Sequence, residues 1–242
     1  MEKSAYKIHI IGAGISGLIA AQILENHGYQ PTIIEASSAV GGRVKSDILK
    51  GYTLDRGFQV LLTSYPAAKK YLDYDALELQ ELLPGATIFK NGKAQTIGDP
   101  LRNLSMLIPT LFSSIGSFSD KIKILKLNTT LKKKKIAAIF ETKEKTTLQY
   151  LKDFGFSKKI IDTFFTPFFS GIFLETELET SSRMFEFVYK MFGDGDAALP
   201  KAGMEAIPKQ LYDKLKTTDF KFNTNVVSIK EGEITLEDQT KL

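Results

Sequence analysis

The chain has 242 residues, of which 43% are hydrophobic and 25% charged, and its formal net charge is +4. This composition is ordinary for a soluble globular protein that folds as one large domain or as two smaller interleaved ones. The absence of cysteine and the presence of only two histidines exclude disulfides, thiolate catalysis and cysteine metal centres and disfavour a histidine-rich metal site.

The N-terminal part of the chain has the pattern of a strand, a glycine-rich turn, a helix and a second strand. Residues 6–11 predict a short buried strand, and the helix that follows the turn is expected to end at Gly28. The second strand covers residues 31–34 and ends on Glu35. The turn between the first strand and the helix consists of Gly12, Ala13, Gly14, Ile15, Ser16 and Gly17.

Each part of this unit has a physical reason to bind a dinucleotide. Gly12 permits the tight turn, Gly14 lets a pyrophosphate approach the backbone, and Gly17 lets the helix pack close to the strand. The start of the helix offers free amides and a positive dipole end. Glu35, 18 residues after Gly17, can accept both ribose hydroxyls of adenosine and would repel a 2′-phosphate. A glycine turn without a ligand is the alternative, which the complete strand–turn–helix context disfavours.

Two glycines and an arginine follow Glu35 after five residues, at Gly41, Gly42 and Arg43. The glycines would let the chain pass against a diphosphate, and Arg43 would offer a planar set of donors to its oxygens. On its own this segment could be a surface turn. Together, GAGISG, E-x5-GGR and YTLDRGFQV at residues 52–60 resemble the N-terminal signature of the flavin amine oxidase superfamily, which includes monoamine oxidases, protoporphyrinogen oxidases, phytoene desaturases and carotenoid isomerases.

The resemblance implies FAD as the cofactor and a Rossmann-like α/β FAD-binding domain, in which a parallel sheet is combined with helices and a β-meander. It places Asp55 and Gly57 in a segment that approaches the flavin ring. It also implies a strand whose backbone contacts adenine, through Val226 or, as the alternative, Val227. The cofactor-binding residues expected from motif and resemblance are Gly12, Ala13, Gly14, Ile15, Ser16, Gly17, Glu35, Ala36, Gly41, Gly42, Arg43, Gly57, Phe58 and Val226. No catalytic residue and no metal ligand is predicted.

Later segments extend the resemblance over nearly the whole chain. PFFSGIFLETELETSS at 167–182 is similar to a substrate-domain stretch of protoporphyrinogen oxidase-like members, and LPKAGMEAIPKQL at 199–211 resembles the segment that returns to the FAD domain. We therefore expect a discontinuous FAD-binding domain, residues 1–60 and 201–242, with a mainly helical substrate domain, residues 61–200, inserted into it. Chains of the resembled family continue beyond the position that matches Leu242, so the C-terminal part of the family fold is expected to be missing.

The inserted segment carries several local signals. Asn91-Gly92 predicts a hairpin over residues 86–97, and Ser119-Asp120 is expected to cap a long helix. Further helices are expected at residues 66–71, 148–154 and 158–165. A phenylalanine cluster is expected to be mostly core, with one or two members facing the flavin pocket; its members are Phe164, Phe165, Phe168, Phe169 and Phe173.

The apolar stretch 101–118 and the lysine run 132–135 allow two interpretations. They could dock on an anionic membrane surface, but an ordinary helical lobe with a solvated lysine face is favoured. Neither a signal peptide nor a transmembrane segment is recognised, so we expect a cytoplasmic location, with peripheral membrane contact as the open alternative. No nucleic-acid partner is expected, because no nucleic-acid-binding module accompanies the mild positive charge.

After residue 203, apolar residues at helical spacing predict a helix, followed by strands at 220–222, 226–230 and 233–237. The expected function is FAD-dependent hydride transfer from a hydrophobic small molecule to flavin, forming a C=C or C=N bond. Three alternatives stay open: a redox-neutral flavin-dependent isomerase, a truncated remnant without catalysis, and an NAD-binding module.

Overall fold

The computed structural model describes residues 6–57, 59–90, 92–98 and 103–242. Its strands are β1 (His9–Ile11), β2 (Thr32–Ile34), β3 (Ser46–Leu49), β4 (Tyr52–Asp55), β5 (Leu61–Leu62), β6 (Leu79–Glu81), β7 (Gly85–Lys90), β8 (Lys93–Gly98), β9 (Ala197–Pro200), β10 (Asp219–Lys221), β11 (Val226–Lys230) and β12 (Glu233–Leu236).

Its helices are α1 (Ile15–Asn26), α2 (Pro66–Tyr71), α3 (Tyr74–Leu77), α4 (Leu107–Phe112), α5 (Phe118–Lys133), α6 (Ile136–Phe140), α7 (Thr147–Asp153), α8 (Lys158–Ile160), α9 (Thr166–Phe173), α10 (Ser182–Asp194) and α11 (Ala206–Asp213), with a 3₁₀ turn at Leu104–Met106 and a π-helical turn at Ile161–Phe165. In the described ranges no helix combines the length and the hydropathy needed to cross a bilayer.

The chain divides into two compact units. The first unit contains residues 1–60, 66–80 and 199–242, and the second contains residues 61–65 and 81–198. Residues 66–80 therefore group differently from the expected boundary, which placed them in the inserted domain. The reason is packing: Tyr71 and Leu72 lie against the core formed by α1, β2 and α11, and the Asp73 amide donates to the Gln210 side chain at 2.9 Å.

The first unit is built on a parallel three-stranded sheet with the order β1-β2-β10. Ile10 pairs with Ile33, and Ile33 pairs with Phe220 on its other side. Helix α1 joins β1 to β2 and buries Leu18 against this sheet. Two antiparallel hairpins, β3–β4 and β11–β12, complete the unit. The parallel sheet with its connecting helix confirms the predicted α/β class.

Helix α1 ends as its sequence predicts. The amide of Gly28 donates to the Glu25 carbonyl at 2.8 Å, and the amide of Tyr29 donates to the Leu24 carbonyl at 3.0 Å. Gly28 adopts φ +82°, a left-handed conformation that glycine accepts without a steric penalty. The turn satisfies carbonyls at the end of α1 and directs the chain back towards β2.

The second unit is mainly helical. Its strands include the hairpin β7–β8, which spans the predicted residues 86–97, and β5, whose Leu61 and Leu62 pair antiparallel with residues 197 and 198 of β9. Its core is rich in aromatic side chains: Phe165 and Phe169 are 0% and 1% exposed. The partly buried Phe164, Phe168 and Phe173 pack against the same core. The prediction that this phenylalanine cluster is mostly core is therefore confirmed.

Helix α5 begins earlier than predicted, because Ser117 and not Ser119 is its N-cap. The Ser117 hydroxyl accepts from the Asp120 amide at 3.1 Å, and the Asp120 carboxylate accepts from the Ser117 amide at 2.7 Å. This reciprocal pair is a capping box, which requires the two residues to be three positions apart. Ser119 lies between them in the first turn, where its side chain cannot make that exchange.

Candidate nucleotide-binding site

The glycine turn is held at the ends of β1 and β2. The Gly12 amide donates to the Ile34 carbonyl at 2.8 Å, and Gly12 has φ +94°, which favours glycine. A Cβ atom at Gly17 would lie only 2.0 Å from the Gly12 carbonyl oxygen. The first turn of α1 therefore packs directly on the turn, as predicted for Gly17.

The start of α1 presents open backbone. Gly14 is the N-cap, with φ −72° and ψ 176°, and no side chain caps the helix. Cβ atoms built on Gly12 or Gly14 would meet no atom within 4 Å. Uncapped amides at the positive end of a helix dipole, beside empty space, suit an anion such as a diphosphate.

Glu35 turns its carboxylate towards this turn. Oε2 accepts from the Ala13 amide at 2.7 Å, and Oε1 accepts from the Ser37 amide at 2.8 Å. The side chain is 9% exposed. Each carboxylate oxygen has two lone pairs, and the Ser37 side chain also hydrogen-bonds to the carboxylate. The carboxylate therefore keeps the capacity to accept from a further donor, such as a ribose hydroxyl.

Glu35 is ionised at neutral pH. Its burial alone raises the pKa, but hydrogen bonds from the Ala13 and Ser37 amides, together with the nearby charge of Lys45, outweigh this and hold the pKa below its usual value. The charge would disfavour a phosphate on the ribose. The carboxylate is therefore prepared to accept hydrogen bonds from hydroxyls.

The chain returns to the glycine turn at Gly41 and Gly42. The Gly41 amide donates to the Ala13 carbonyl at 2.9 Å, and Gly41 forms a parallel bridge with Gly14. A Cβ atom at Gly42 would lie 3.5 Å from the Gly14 Cα, while one at Gly41 would lie 2.6 Å from the Val44 carbonyl oxygen. Both glycines have positive φ, so this close return of the backbone to the glycine turn favours glycine at both positions.

The remaining predicted residues lie on segments that leave this turn. Ala36 is exposed beside Glu35, and Arg43 is exposed after Gly42. The Thr224 amide donates to the Glu35 carbonyl at 3.0 Å, two residues before Val226 begins β11. Gly57 has φ +84° and follows β4. Predicted residues Phe58 and Asn91 lie outside the described residues.

The model of the family described as flavin-containing amine oxidoreductase matches residues 15–241. The chain belongs to this family. Protoporphyrinogen oxidase 2 of Arabidopsis thaliana is 27% identical over 168 residues, covering 69% of this chain and 32% of the relative. L-amino-acid oxidase of Crotalus adamanteus is 26% identical over 243 residues, covering 94% and 45%. A solved triple mutant of putrescine oxidase has a TM-score of 0.65 at 18% identity, covering 97% of this chain and 55% of its own.

The chain thus spans between a third and about half of the length of these curated relatives. Members of the family are flavin-containing oxidoreductases, which is the class the sequence predicts. The likeness to putrescine oxidase shows the shared fold. In the first unit, the glycine turn and Glu35 combine an open helix start with an ionised acceptor, and these groups could hold the diphosphate and a sugar of a nucleotide cofactor.

The family segment containing Asp55 has a structural role that sequence analysis missed. The Asp55 carboxylate accepts from the Met204 amide at 2.8 Å, and the Ser46 hydroxyl, which donates to Asp55, also accepts from the Glu205 amide at 3.1 Å. These bonds join residues 149 and 159 positions apart. No local pattern could reveal them.

Proposed function

We propose that the first unit binds FAD, and that the protein transfers a hydride from a hydrophobic small molecule to the flavin. The hydrogen bond from the Ala13 amide to the Glu35 carboxylate supports this proposal most directly, because it holds Glu35, the proposed ribose acceptor, beside the uncapped start of α1. The family is flavin-containing, and the flavin, when bound, supplies the hydride acceptor.

The chain's own residues would act as binding and orienting groups. The open amides at the start of α1 would hold the diphosphate, with Gly12, Ala13, Gly14, Ile15, Ser16 and Gly17 forming its cradle. Glu35 would accept the ribose hydroxyls, and Gly41 and Gly42 would let the backbone pass close to the cofactor. We assign Arg43 to the diphosphate oxygens and the backbone of Val226 to the adenine. Ala36, Gly57 and Phe58 complete the proposed contact set.

The cofactor part of the proposal is tested by binding. The purified protein is denatured, any released cofactor is identified by chromatography, and the refolded or cofactor-stripped protein is titrated with FAD and with NAD. We expect FAD alone to bind and to restore flavin absorbance. Preferential binding of NAD, or of neither compound, would contradict the proposal.

The role of Glu35 is tested with Glu35→Gln. The substitution removes the charge that strengthens hydrogen bonds from the ribose, and such bonds contribute roughly 1.5–3 kcal/mol, so the Kd for FAD should rise about 10- to 100-fold. Glu141→Gln is the matched control, because Glu141 is exposed in the second unit. Equal FAD affinity of Glu35→Gln and Glu141→Gln would exclude the assigned role.

The substrate part is tested separately by anaerobic reduction of the bound flavin. The loaded protein is mixed with protoporphyrinogen, with an L-amino acid or with putrescine, the compounds that the relatives' names indicate. The proposal predicts bleaching of the flavin absorbance by the apolar tetrapyrrole and not by the two polar amines. Bleaching by a polar amine alone would overturn the hydrophobic-substrate assignment and leave the FAD site unaffected.

A further inference from the structure

Positive charge is concentrated in one segment of the second unit. Residues 85–135 contain ten lysines and arginines and two acids, a net charge of +8, whereas the whole chain has +4. The rest of the chain therefore carries −4. A single-sign concentration of this size produces a local field that attracts anionic surfaces.

Helix α5, in this segment, is apolar on two opposite faces. Leu127 and Leu131 face the core and are 0% and 1% exposed. On the other side Phe118, Ile122 and Leu125 follow one another at i, i+4 and i+7 and are 69%, 53% and 42% exposed. The outer face of a helix that only meets water is normally polar. This outer apolar stripe is therefore unexplained by the fold of the unit.

Lysines flank the apolar stripe. At about 100° per residue, Lys133 falls on one side of it and Lys132 on the other, and both are exposed. Lysine stems can lie along an apolar surface while their ammonium groups reach a charged layer above it. An apolar stripe bordered by lysines is the pattern of helices that lie in the interface of an anionic bilayer.

Helix α4 extends this surface. Ile108 and Phe112 lie one turn apart on α4 and are 68% and 85% exposed. The Lys121 ammonium at the start of α5 donates to the carbonyl of Ser113, the residue after α4, at 2.8 Å. The end of α4 and the start of α5 are thus adjacent, and their exposed apolar residues lie in one region of the second unit.

We propose that the outer faces of α4 and α5 dock on an anionic lipid bilayer, with the apolar residues entering the headgroup region and the lysines contacting lipid phosphates. The positive charge of the lysines favours a bilayer over a second copy of this chain. A second copy of the same surface would oppose lysines to lysines, which costs free energy. A bilayer containing anionic lipids offers apolar contacts to the stripe and phosphate groups to the lysines. The proposal does not depend on flavin binding.

The first test measures co-flotation of the protein with vesicles. We expect binding to phosphatidylcholine vesicles that contain about a third phosphatidylglycerol and little binding to pure phosphatidylcholine, because anionic lipid supplies the attraction. Phe118→Ser with Ile122→Ser should weaken binding at least about tenfold by removing buried apolar area. The matched double variant, Leu174→Ser with Ile229→Ser, changes residues that are 87% and 65% exposed elsewhere and should bind like the unmodified chain.

The second test changes charge without changing apolar contacts. Lys132→Gln with Lys133→Gln should weaken binding about 25-fold, at roughly fivefold per lysine near an anionic surface. Lys143→Gln with Lys230→Gln removes the same charge from exposed positions outside the segment and should have little effect. Equal losses from both lysine pairs would show non-specific attraction and overturn the proposal. The unmodified chain could instead fail to bind anionic vesicles and associate with itself. If the Phe118→Ser and Ile122→Ser double variant abolished that self-association, the surface would be assigned to a second copy and the proposal would be overturned.

Discussion

Asp120 offers a quantitative test of how the second unit is held together. Its side chain is 0% exposed, and one carboxylate serves two helix starts. Oδ2 accepts from the Ser117 amide at 2.7 Å and from the Ser157 hydroxyl at 2.6 Å, while Oδ1 accepts from the Ser157 amide at 2.9 Å. Asp120→Asn keeps the shape but replaces one acceptor oxygen with a donor. At least one partly buried backbone amide then loses its partner.

The expected cost follows from these contacts. Leaving one buried donor unsatisfied costs roughly 1–3 kcal/mol, so Asp120→Asn should lower the free energy of unfolding by about 2 kcal/mol near neutral pH. Burial alone raises the pKa of Asp120, but the hydrogen bonds from Ser157 and Ser117 lower it from 3.8 to about 2. That difference corresponds to about 2 kcal/mol of stabilisation by the ionised carboxylate.

The sign of the pH dependence is fixed by the lowered pKa. The stabilisation is fully present above the ordinary pKa and is lost as the pH falls through the folded-state pKa. We would measure the free energy of unfolding in urea by circular dichroism at several pH values between about 7 and 2. The difference in this free energy between the unmodified chain and Asp120→Asn should narrow below about pH 4. Asp162→Asn, at an exposed position, is the control. If the difference in unfolding free energy did not change with pH, or if there were no difference near neutral pH, the reasoning would be refuted.

Three further substitutions test the packing. Gly17→Ala should lower unfolding free energy by at least about 3 kcal/mol, because its Cβ would lie 2.0 Å from the Gly12 carbonyl oxygen; normal stability in thermal unfolding would contradict this. Phe165→Ala should cost about 3–5 kcal/mol in urea unfolding, since Phe165 is 0% exposed, and a loss below 1 kcal/mol would be inconsistent with a packed core. Glu25→Gln should reduce stability by about 1 kcal/mol, because Glu25 accepts from the three amides of residues 216–218; an unchanged urea midpoint would argue against that role.

Local signals made the first unit and its candidate site predictable. Strand, turn and helix follow each other within the first 35 residues, and the requirement for glycine at Gly12, Gly17, Gly41 and Gly42 comes from backbone geometry that glycine alone satisfies readily. The same holds for the end of α1 at Gly28. Glu35 was predictable from its distance to the turn, although its bond to the Ala13 amide was not.

Contacts between distant residues escaped sequence analysis. Residues 66–80 contain helices α2 and α3, so they resemble the helical insert in sequence, and their packing on α1 and α11 groups them with the first unit. Both Ser117 and Ser119 are plausible caps by type, and the choice depends on the reciprocal bond with Asp120. The bonds of Asp55 to Met204 and of Asp120 to Ser157 have no periodic signature.

The measurement that bears most directly on the nucleotide site is calorimetric titration of Gly14→Ala with ADP. Gly14 has φ −72°, which alanine adopts freely, and its new Cβ would meet no protein atom within 4 Å. The fold should therefore persist, while the methyl group enters the space proposed for the diphosphate. Gly171→Ala makes the same change on α9, also without neighbours within 4 Å.

We predict that Gly14→Ala raises the Kd for ADP at least about tenfold, a loss of about 1.4 kcal/mol, and leaves the thermal unfolding midpoint unchanged, while Gly171→Ala alters neither. If Gly14→Ala binds ADP as tightly as Gly171→Ala does, the diphosphate does not lie on the glycine turn.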